Sequence, residues 1–371
     1  MTAEPVTGAW RIGDPPGRRR FVTGPGLTLE AGGVLPGYTL AYETWGTLNS
    51  DASNAVLVEH ALTGDSHAAG PAEPGHPSAG WWDGLIGPGK ALDTTEFFVV
   101  VPNVLGGCQG STGPSSPDPD GTPWGSRFPV VTVRDQVTTE AVLADALGIS
   151  RWAAVVGGSM GGMRALEWAV SLPSRVASVL VLASTARASA EQIAWASPQL
   201  HAIRSDPDFH GGDYYSASSG PYRGLGVARR IAHVTYRSEP ELAERFGRSY
   251  QVDEDPLRGG RFAVESYLDH HAEKLAGRFD ANSYLVLTES MNTHDVGRDR
   301  GGVAAALGRV TARAVIGGVD SDRLYPLYQS AEIAAGISGG PEPAVVSSPY
   351  GHDSFLIETG QIAALVKALL G

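Results

Sequence analysis

Residues 155–167 read VVGGSMGGMRALE and place a single serine, Ser159, among four glycines. The apolar residues before Ser159 are typical of a buried strand, and those after it have the composition of a helix. A sharp turn from strand to helix lifts a serine hydroxyl above the edge of a sheet, and glycines permit its strained backbone. The segment therefore predicts a nucleophilic serine in an α/β protein.

A second match to G-x-S-x-G, GISGG at residues 336–340, serves as an internal control. It follows a helical segment and is followed by glycine and proline, so no helix can start at Ser338. The helix predicted after Ser159 offers free N–H groups and a dipole that favour a developing oxyanion. We therefore predict Ser159 as the nucleophile and a plain turn at Ser338.

The rest of the chain predicts an α/β fold with a mostly parallel central sheet and helices on both faces. Helical spacing marks residues 131–149, the segment after Ser159, and residues 354–370. A Gly/Pro-rich stretch at 64–89 predicts a long surface loop. The predicted strands are 38–46, 54–62, 97–105, 152–158, 176–184, 312–319 and 343–348.

A polar, helical stretch interrupts this pattern from residue 187 to residue 308. No apolar run typical of a strand occurs in it, which predicts an inserted helical lid within a core of residues 1–186 and 309–371. We expect the aromatic residues Tyr214, Tyr215 and Tyr222 of the insertion to be exposed. The first thirty residues are compatible either with disorder or with packing along the surface.

Composition limits the partners of the chain. Its 371 residues carry a net charge of -12, which argues against a nucleic-acid or anionic-membrane surface. A phosphorylated ligand is not excluded, because a few local arginines can reverse the field in one cleft. No apolar run resembles a signal peptide or a membrane span, and the single Cys108 excludes an intramolecular disulfide. We predict a cytoplasmic protein.

A serine nucleophile needs a base and an acid that orients the base. In folds with this turn, the acid and then the histidine follow late strands in chain order. The strand at 312–319 leads to Asp320 and Asp322, and the strand at 343–348 leads to His352. We predict a triad of Ser159, His352 and one of these aspartates, between which the residues alone do not choose.

The oxyanion donors are predicted from the same topology. One is the backbone N–H of Met160, and the other is that of Leu62, in the EHALTGDSH loop after an early strand. We expect His60 to shape the floor of the site. The pair His270 and His271 is assigned to a solvated helix face rather than to a metal, so no metal site is predicted.

Several stretches together resemble the homoserine O-acetyltransferases, which are α/β-hydrolase-fold acyltransferases of methionine biosynthesis. The resemblance extends from residue 37 to the C-terminus. The stretches are EHALTGDSHA (59–68), WWDGLIGPGKALDT (81–94), PNVLGGCQGSTGPSS (102–116), GGSMGGMRALEWA (157–169), SDRLYP (321–326) and GHDSFL (351–356).

The resemblance implies specific roles. It selects Asp322 as the acid, has Arg229 hold the substrate carboxylate, and has Asp353 bind the amino acid substrate. It implies a ping-pong reaction in which acetyl-CoA acetylates Ser159 and L-homoserine removes the acetyl group. It further implies a homodimer formed through the lid, with acetyl-CoA as co-substrate and no permanently bound cofactor.

Three alternatives remain open at this stage. A homoserine O-succinyltransferase would need another cation at the acyl pocket for the extra carboxylate. A serine esterase of the same fold would have no need of Arg229 and Asp353. A non-catalytic binding protein would have no need of an intact triad.

Overall fold

An eight-stranded sheet forms the centre of the protein, of which the computed structural model describes residues 6–371. Its strand order is β1-β4-β6-β5-β7-β8-β9-β10, and β2 and β3 form a separate antiparallel ribbon. The six strands from β6 to β10 in this order are parallel, whereas β4 runs antiparallel to β1 and β6. The strands are β1 Arg20–Gly24, β2 Leu27–Thr28, β3 Val34–Leu35, β4 Tyr38–Trp45, β5 Ala55–Glu59, β6 Phe98–Pro102, β7 Ala154–Gly158, β8 Ser178–Leu182, β9 Arg313–Val319 and β10 Ala344–Val346.

The continuous apolar runs of the central strands follow from burial of both faces of the sheet. In β7, Val155 belongs to one core together with Leu57, whereas Val156 belongs to the opposite core together with Val58. Alternate residues of a strand point to opposite faces, so a strand covered on both sides is apolar at most of its positions. The predicted fold class is confirmed.

Helices cover both faces and the carboxyl edge of the sheet. A capping box between Thr132 and Asp135 sets the start of α1 two residues after the predicted position. The predicted C-terminal helix is divided at Glu358, whose ψ of 56° is not helical. The helices are α1 Val133–Ala146, α2 Met160–Ser171, α3 Ala190–Arg204, α4 Tyr222–Tyr236, α5 Glu239–Phe246, α6 Ala263–Ala276, α7 Ala281–Asn292, α8 Val303–Leu307, α9 Leu327–Gly336, α10 Ser354–Ile357 and α11 Thr359–Leu370.

Helices α3 to α8 lie between β8 and β9 in the chain, in the stretch that the sequence predicts as an inserted lid. Their apolar side chains, such as Leu225 and Leu275, share a core with Leu62 and Met160 at the carboxyl ends of β5 and β7. This packing puts a helical layer over the edge where Ser159 lies. The boundaries of the lid as a separate domain stay a prediction.

The expected exposure of the lid tyrosines is wrong for Tyr214 and Tyr215. Tyr214 is fully buried and its hydroxyl donates to Asp280 at 2.7 Å, while the half-buried Tyr215 donates to the same carboxylate at 3.0 Å. Asp280 is itself buried and needs these donors, since an unpaired buried carboxylate is costly. Tyr222 is half-buried.

The structure answers the open question about the N-terminal segment and corrects the expectation for the stretch 64–89. Strand β1 pairs with β4 at the edge of the sheet, so part of the N-terminal segment belongs to the fold. The stretch 64–89 carries no helix or strand, yet it is not a surface loop, since Ala68, Trp82, Leu85 and Ile86 are buried in the core. No helix among residues 6–371 has the length and apolar character needed to cross a membrane.

Candidate active site

Ser159 occupies the sharp turn that joins β7 to α2. Its φ of 57° and ψ of −124° are unusual for a residue with a side chain, and such strain costs on the order of 1–3 kcal/mol. The turn closes tightly because a Cβ on Gly161 would overlap the backbone oxygen of Glu59, and one on Gly157 would overlap that of Gly161. The glycines around Ser159 therefore permit close backbone contact as well as the turn.

The structure brings Ser159, Asp322 and His352 together. His352 Nε2 lies 2.8 Å from Ser159 Oγ, and His352 Nδ1 lies 2.6 Å from Asp322 Oδ2. The other carboxylate oxygen of Asp322 accepts the backbone N–H groups of Leu324 and Tyr325 at 2.8 and 2.9 Å. All three side chains are buried at the carboxyl ends of parallel strands, where a nucleophile, a base and an orienting acid can act together.

Asp320 and Ser338 take no part in this arrangement. Asp320 is exposed and accepts the Ser347 hydroxyl at 2.7 Å and the Ser348 N–H at 3.0 Å. Ser338 is exposed in the turn that follows α9. The geometry therefore distinguishes the two aspartates and the two serine motifs.

The two predicted oxyanion donors lie at the ends of adjacent strands. Met160 is the first residue of α2, after β7, and Leu62 lies in the turn after β5. Within residues 6–371, the backbone N–H of neither residue donates to a protein acceptor. Both N–H groups are therefore free to bind an oxygen atom of a ligand.

A buried ionic network, which the sequence analysis missed, connects these two donors. Arg164 of α2 lies 2.9 Å from Glu59 and 3.0 Å from Glu140, and it donates to the backbone oxygen of His60 at 3.1 Å. All these side chains are at most 1% exposed, and burial raises the pKa of Glu59 well above its ordinary value. The network ties the helix after Ser159 to the segment that leads to Leu62. An arginine among the mostly apolar residues of α2 was the available signal.

His60 has the structural role that the sequence predicts. Its Nδ1 lies 2.7 Å from the backbone oxygen of Ala61, and its Nε2 accepts the N–H of Val104 at 3.0 Å. Burial, followed by the charge of Arg164, lowers the pKa of His60 well below its ordinary value. A neutral His60 therefore connects the ends of β5 and β6 beneath the site.

Aromatic rings surround the imidazole of His352. Tyr325 stacks on it with 4.9 Å between ring centroids, and Phe355 and Tyr236 lie at 5.4 and 5.7 Å. Burial raises the pKa of Tyr325 far above its ordinary value, while a hydrogen bond with Ser159 opposes that rise. The Tyr325 hydroxyl therefore stays protonated beside the nucleophile. Its position within the SDRLYP stretch was the only sequence signal for it.

A small cavity of about 50 Å³ adjoins Tyr325 and Leu62. Met163 and Tyr236 also contribute to its wall, and its polar lining consists of amide and hydroxyl side chains such as Gln192. No arginine, lysine or histidine among the described residues lines it. The cavity therefore suits a small uncharged group.

Arg229 and Asp353 line a second cavity, of about 220 Å³. Arg229 of α4 lies 5.7 Å from the centroid of the Tyr236 ring, and its Nη1 makes a long 3.4 Å hydrogen bond to Thr63. Asp353 lies 3.2 Å from Arg237, which the sequence analysis did not identify. Burial raises the pKa of Asp353, and the charge of Arg237 opposes that rise.

A third cavity, of about 690 Å³, shares part of its wall with the second. It is bounded by α6, by residues 8–15 and by the loop at 63–81. Cys108 lies nearby but is fully buried, and burial raises the pKa of its thiol far above the ordinary value. A thiol held in the neutral form is a poor nucleophile, so Cys108 offers no alternative to Ser159.

Glu43, His67 and His76 form a buried cluster that the sequence did not reveal. His67 Nδ1 and His76 Nε2 lie 3.0 and 3.3 Å from the two oxygens of Glu43. The two rings are stacked at 3.9 Å with 11° between their planes. His67 hydrogen-bonds the carboxylate of Glu43, whereas His76 Nε2 accepts the backbone N–H of Arg18 at 3.4 Å. The three groups could also hold a metal ion, because one ligand atom from each lies within 4.8 Å of the others.

The prediction for the two lid histidines is right for one of them. His270 is exposed, whereas His271 is half-buried, with its ring centroid 3.9 Å from that of His233. His271 also borders the second cavity, beside Arg229. Only His270 therefore lies on a solvated helix face.

Comparison with known proteins gives consistent matches over the whole chain. The family model of the alpha/beta hydrolase fold matches residues 54–359. A homoserine O-acetyltransferase of Thermobifida fusca (strain YX) is 67% identical over 99% of this chain and 97% of its own length. The sequence resemblance is thereby confirmed.

Two solved structures, one of them an esterase, resemble the chain at lower identity. A homoserine O-acetyltransferase from Bacillus anthracis has a TM-score of 0.88 and 28% identity, covering 95% of this chain and 97% of that one. Esterase E22 has a TM-score of 0.86 and 28% identity, and the match covers 95% of this chain and 99% of the esterase chain. Because the close sequence relative covers nearly the full length of both proteins, this chain belongs to the homoserine O-acetyltransferase family, within the α/β-hydrolase fold.

Proposed function

We propose that this protein transfers an acetyl group from acetyl-CoA to the hydroxyl of L-homoserine, giving O-acetyl-L-homoserine and CoA. The observation that carries the proposal is the contact of His352 with both Ser159 Oγ, at 2.8 Å, and Asp322, at 2.6 Å. The cavity lined by Arg229 and Asp353, the residue next to His352, offers a site for an amino acid. The reaction supplies a precursor for methionine biosynthesis.

The first half-reaction acetylates the serine. His352 takes the Ser159 proton as Ser159 Oγ attacks the thioester carbon, and Asp322 stabilises the imidazolium. The oxyanion of the tetrahedral intermediate accepts hydrogen bonds from the N–H groups of Leu62 and Met160. As the C–S bond breaks, His352 returns the proton to the thiolate, and CoA leaves as the thiol.

The second half-reaction reverses these roles. Arg229 holds the carboxylate of homoserine, and Asp353 holds its ammonium group. His352 takes the proton of the homoserine hydroxyl, whose oxygen attacks the acetyl carbon of the acyl-enzyme. The ester bond to Ser159 then breaks, and His352 gives the proton back to the serine oxygen.

The small cavity beside Tyr325 favours acetyl over succinyl as the acyl group. Its volume of about 50 Å³ suits a methyl group, and its described lining holds no cation. A succinyl group would bring a carboxylate into that space without a partner, and burying an unpaired charge is strongly unfavourable. Acetyl-CoA is therefore the donor that the site favours.

Ester hydrolysis is the second candidate, because the structure resembles esterase E22 at a TM-score of 0.86. The acyl-enzyme would be the same, and water would replace homoserine in the second step. Arg229 and Asp353 distinguish the two functions, since a hydrolase has no use for groups that bind a carboxylate and an ammonium. The helical layer over the carboxyl edge of the sheet also restricts the access of water to the ester.

The experiment that tests the proposal is intact-protein mass spectrometry after brief mixing with acetyl-CoA or succinyl-CoA. We expect one acetyl adduct on the wild type with acetyl-CoA, lost on addition of L-homoserine with formation of O-acetyl-L-homoserine. Ser159→Ala should give no adduct. Ser338→Ala is the matched control and should behave as the wild type, because Ser338 is exposed in a turn after α9.

Each other outcome selects an alternative. A succinyl adduct that homoserine removes would make the protein a succinyltransferase. Loss of the acetyl adduct at the same rate with and without homoserine would support the esterase. If neither the adduct nor free CoA appears, the remaining interpretation is a non-catalytic binding protein. An adduct on Ser159→Ala would refute the assignment of the nucleophile.

A further inference from the structure

Three cations that lack an acidic partner line the wall shared by the cavities of about 690 and 220 Å³. They are Arg229 of α4, Lys274 of α6 and Arg278, two residues beyond the end of α6. Within residues 6–371, none of them lies within ion-pair distance of a carboxylate. Arg278 donates to the backbone oxygen of Thr63 at 2.8 Å, and Lys274 has no hydrogen-bond partner in that range. Their charges are therefore available to a ligand.

Lys274 and Arg278 bring two like charges to the same two cavities. Like charges that face one space repel each other, and an anion bound between them relieves that repulsion. The dipole of α6 favours a cation near the C-terminus of the helix. It does not explain why Lys274 and Arg278 both line the same cavity. A third cation, Arg229, faces them from α4.

The neighbouring histidines report the positive potential of this wall. Burial, followed by the charges of Arg229, His270, Arg237 and Lys274, lowers the pKa of His271 to about 4. The acidic residues of the largest cavity, Asp14, Asp65 and Glu73, come from the N-terminal segment and the 63–81 loop rather than from α6. In a chain with a net charge of -12, this wall is a local reversal of sign.

We propose that Lys274 and Arg278 bind the phosphate groups of the acyl-CoA donor at the mouth of the active site. The inference rests on the proposed function and identifies the part of the protein that recognises the nucleotide end of the donor. The cavity of about 690 Å³ has room for that end and shares a wall with the inner cavity of Arg229 and Asp353, and Lys274 is exposed at its border.

The chemistry of the two side chains suits this task. The Lys274 ammonium binds a phosphate as a mobile point charge, and the Arg278 guanidinium offers donors in a fixed plane. Arg229 is half-buried and lines the inner cavity with Asp353, so it remains available for the carboxylate of homoserine. Acetyl-CoA would thus bind Lys274 and Arg278, and homoserine would bind Arg229, on the same wall.

The test compares two donors that differ only in their phosphate-bearing part. Acetyl-CoA carries the 3′-phosphate and the diphosphate, and S-acetylpantetheine carries neither. Lys274→Ala should lower kcat/KM for acetyl-CoA about tenfold, the effect of losing one charge-assisted hydrogen bond, and should change kcat/KM for S-acetylpantetheine less than about twofold. Adenosine 3′,5′-bisphosphate should inhibit the wild type competitively with acetyl-CoA, and inhibit Lys274→Ala about tenfold more weakly.

Lys367→Ala is the matched control. It removes an exposed lysine from α11, which lines neither cavity, and should leave both donors unaffected. Inorganic phosphate at the same ionic strength separates a general phosphate site from one that recognises the nucleotide. Inhibition by phosphate equal to that by the bisphosphate would reduce the site to a general anion site and refute recognition of CoA.

Two results would refute the proposal that Lys274 and Arg278 bind the phosphate groups of the donor. One is an equal loss for both donors in Lys274→Ala, and the other is no loss for acetyl-CoA. Failure of the proposed function is a different result, because the wild type would then form no acetyl-enzyme with either donor. Since Lys274 is exposed, its replacement does not threaten folding, and thermal unfolding of the variant should match that of Lys367→Ala.

Discussion

Replacing Asp322 with asparagine is the sharpest perturbation that the site offers. The substitution keeps the shape of the side chain and changes one oxygen to an amide nitrogen. Asp322 Oδ1 accepts two backbone N–H groups, from Leu324 at 2.8 Å and from Tyr325 at 2.9 Å. An asparagine will therefore keep its carbonyl oxygen at that position and turn its NH2 group toward His352 Nδ1.

The expected loss follows from the tautomer that this geometry enforces. His352 must accept the asparagine N–H at Nδ1 and so carries its own proton on Nε2, the nitrogen 2.8 Å from Ser159 Oγ. An imidazole in that state cannot take the serine proton. In serine-protease triads the same change costs about 10⁴ in kcat, which corresponds to roughly 5 kcal/mol of transition-state free energy.

The assay is CoA release from acetyl-CoA in the presence of L-homoserine, followed with a thiol reagent. Asp320→Asn is the matched control, since Asp320 lies two residues away, is exposed, and its carboxylate accepts hydrogen bonds from Ser347 and Ser348. It should retain activity within about twofold of the wild type. Thermal unfolding of both variants separates a loss of catalysis from a loss of folded protein.

Two results would refute this reasoning. If Asp322→Asn stays within tenfold of the wild type, His352 does not depend on this carboxylate for its tautomer. If Asp320→Asn is the more damaging change, the acid of the triad is Asp320, and the 2.6 Å contact of Asp322 has no catalytic role.

The other expectations concern the turn around Ser159 and the binding of homoserine. Gly161→Ala should lower the free energy of unfolding by about 3 kcal/mol or prevent folding, because its Cβ would overlap the backbone oxygen of Glu59. Gly360→Ala in α11, where a Cβ meets open space, should be neutral or stabilising by up to about 1 kcal/mol; equal denaturation midpoints for the two variants would contradict the packing argument. Burial raises the pKa of Asp353, so as the pH falls through that raised value the carboxylate is protonated and loses the homoserine ammonium group. The value of kcat/KM for L-homoserine should therefore decline at a higher pH than kcat/KM for acetyl-CoA, and Asp353→Asn should lower the former and abolish the difference; coincident pH profiles in the wild type would argue against this role.

Local patterns in the sequence were sufficient for the architecture. Strands buried on both faces leave continuous apolar runs, and the helices between them leave a period of 3.6 residues, so the parallel sheet was predictable. The errors lie where local pattern does not report burial. Tyr214 looked like an exposed lid residue, yet the need of Asp280 for donors draws it inside.

The sequence by itself determined the candidate nucleophile and histidine, because a glycine-rich turn between strand and helix and a histidine after the last strand are local features. It also indicated membership of the family, through motifs spread along the chain. The resemblance, rather than the residues, favoured Asp322 over Asp320. Both aspartates follow the same strand, and a difference of two residues in the turn decides which carboxylate faces His352.

Only the tertiary structure decided which distant groups share a space. Segments far apart in the chain meet in three places: where Arg164 contacts Glu59 and Glu140, where Asp353 pairs with Arg237, and at the wall where Arg229 joins Lys274 and Arg278. Charged side chains at such positions have no periodic signature, because a solvated arginine and a buried one read alike. Their roles depend on the partners and the burial that folding provides, and those depend on the packing of the whole chain.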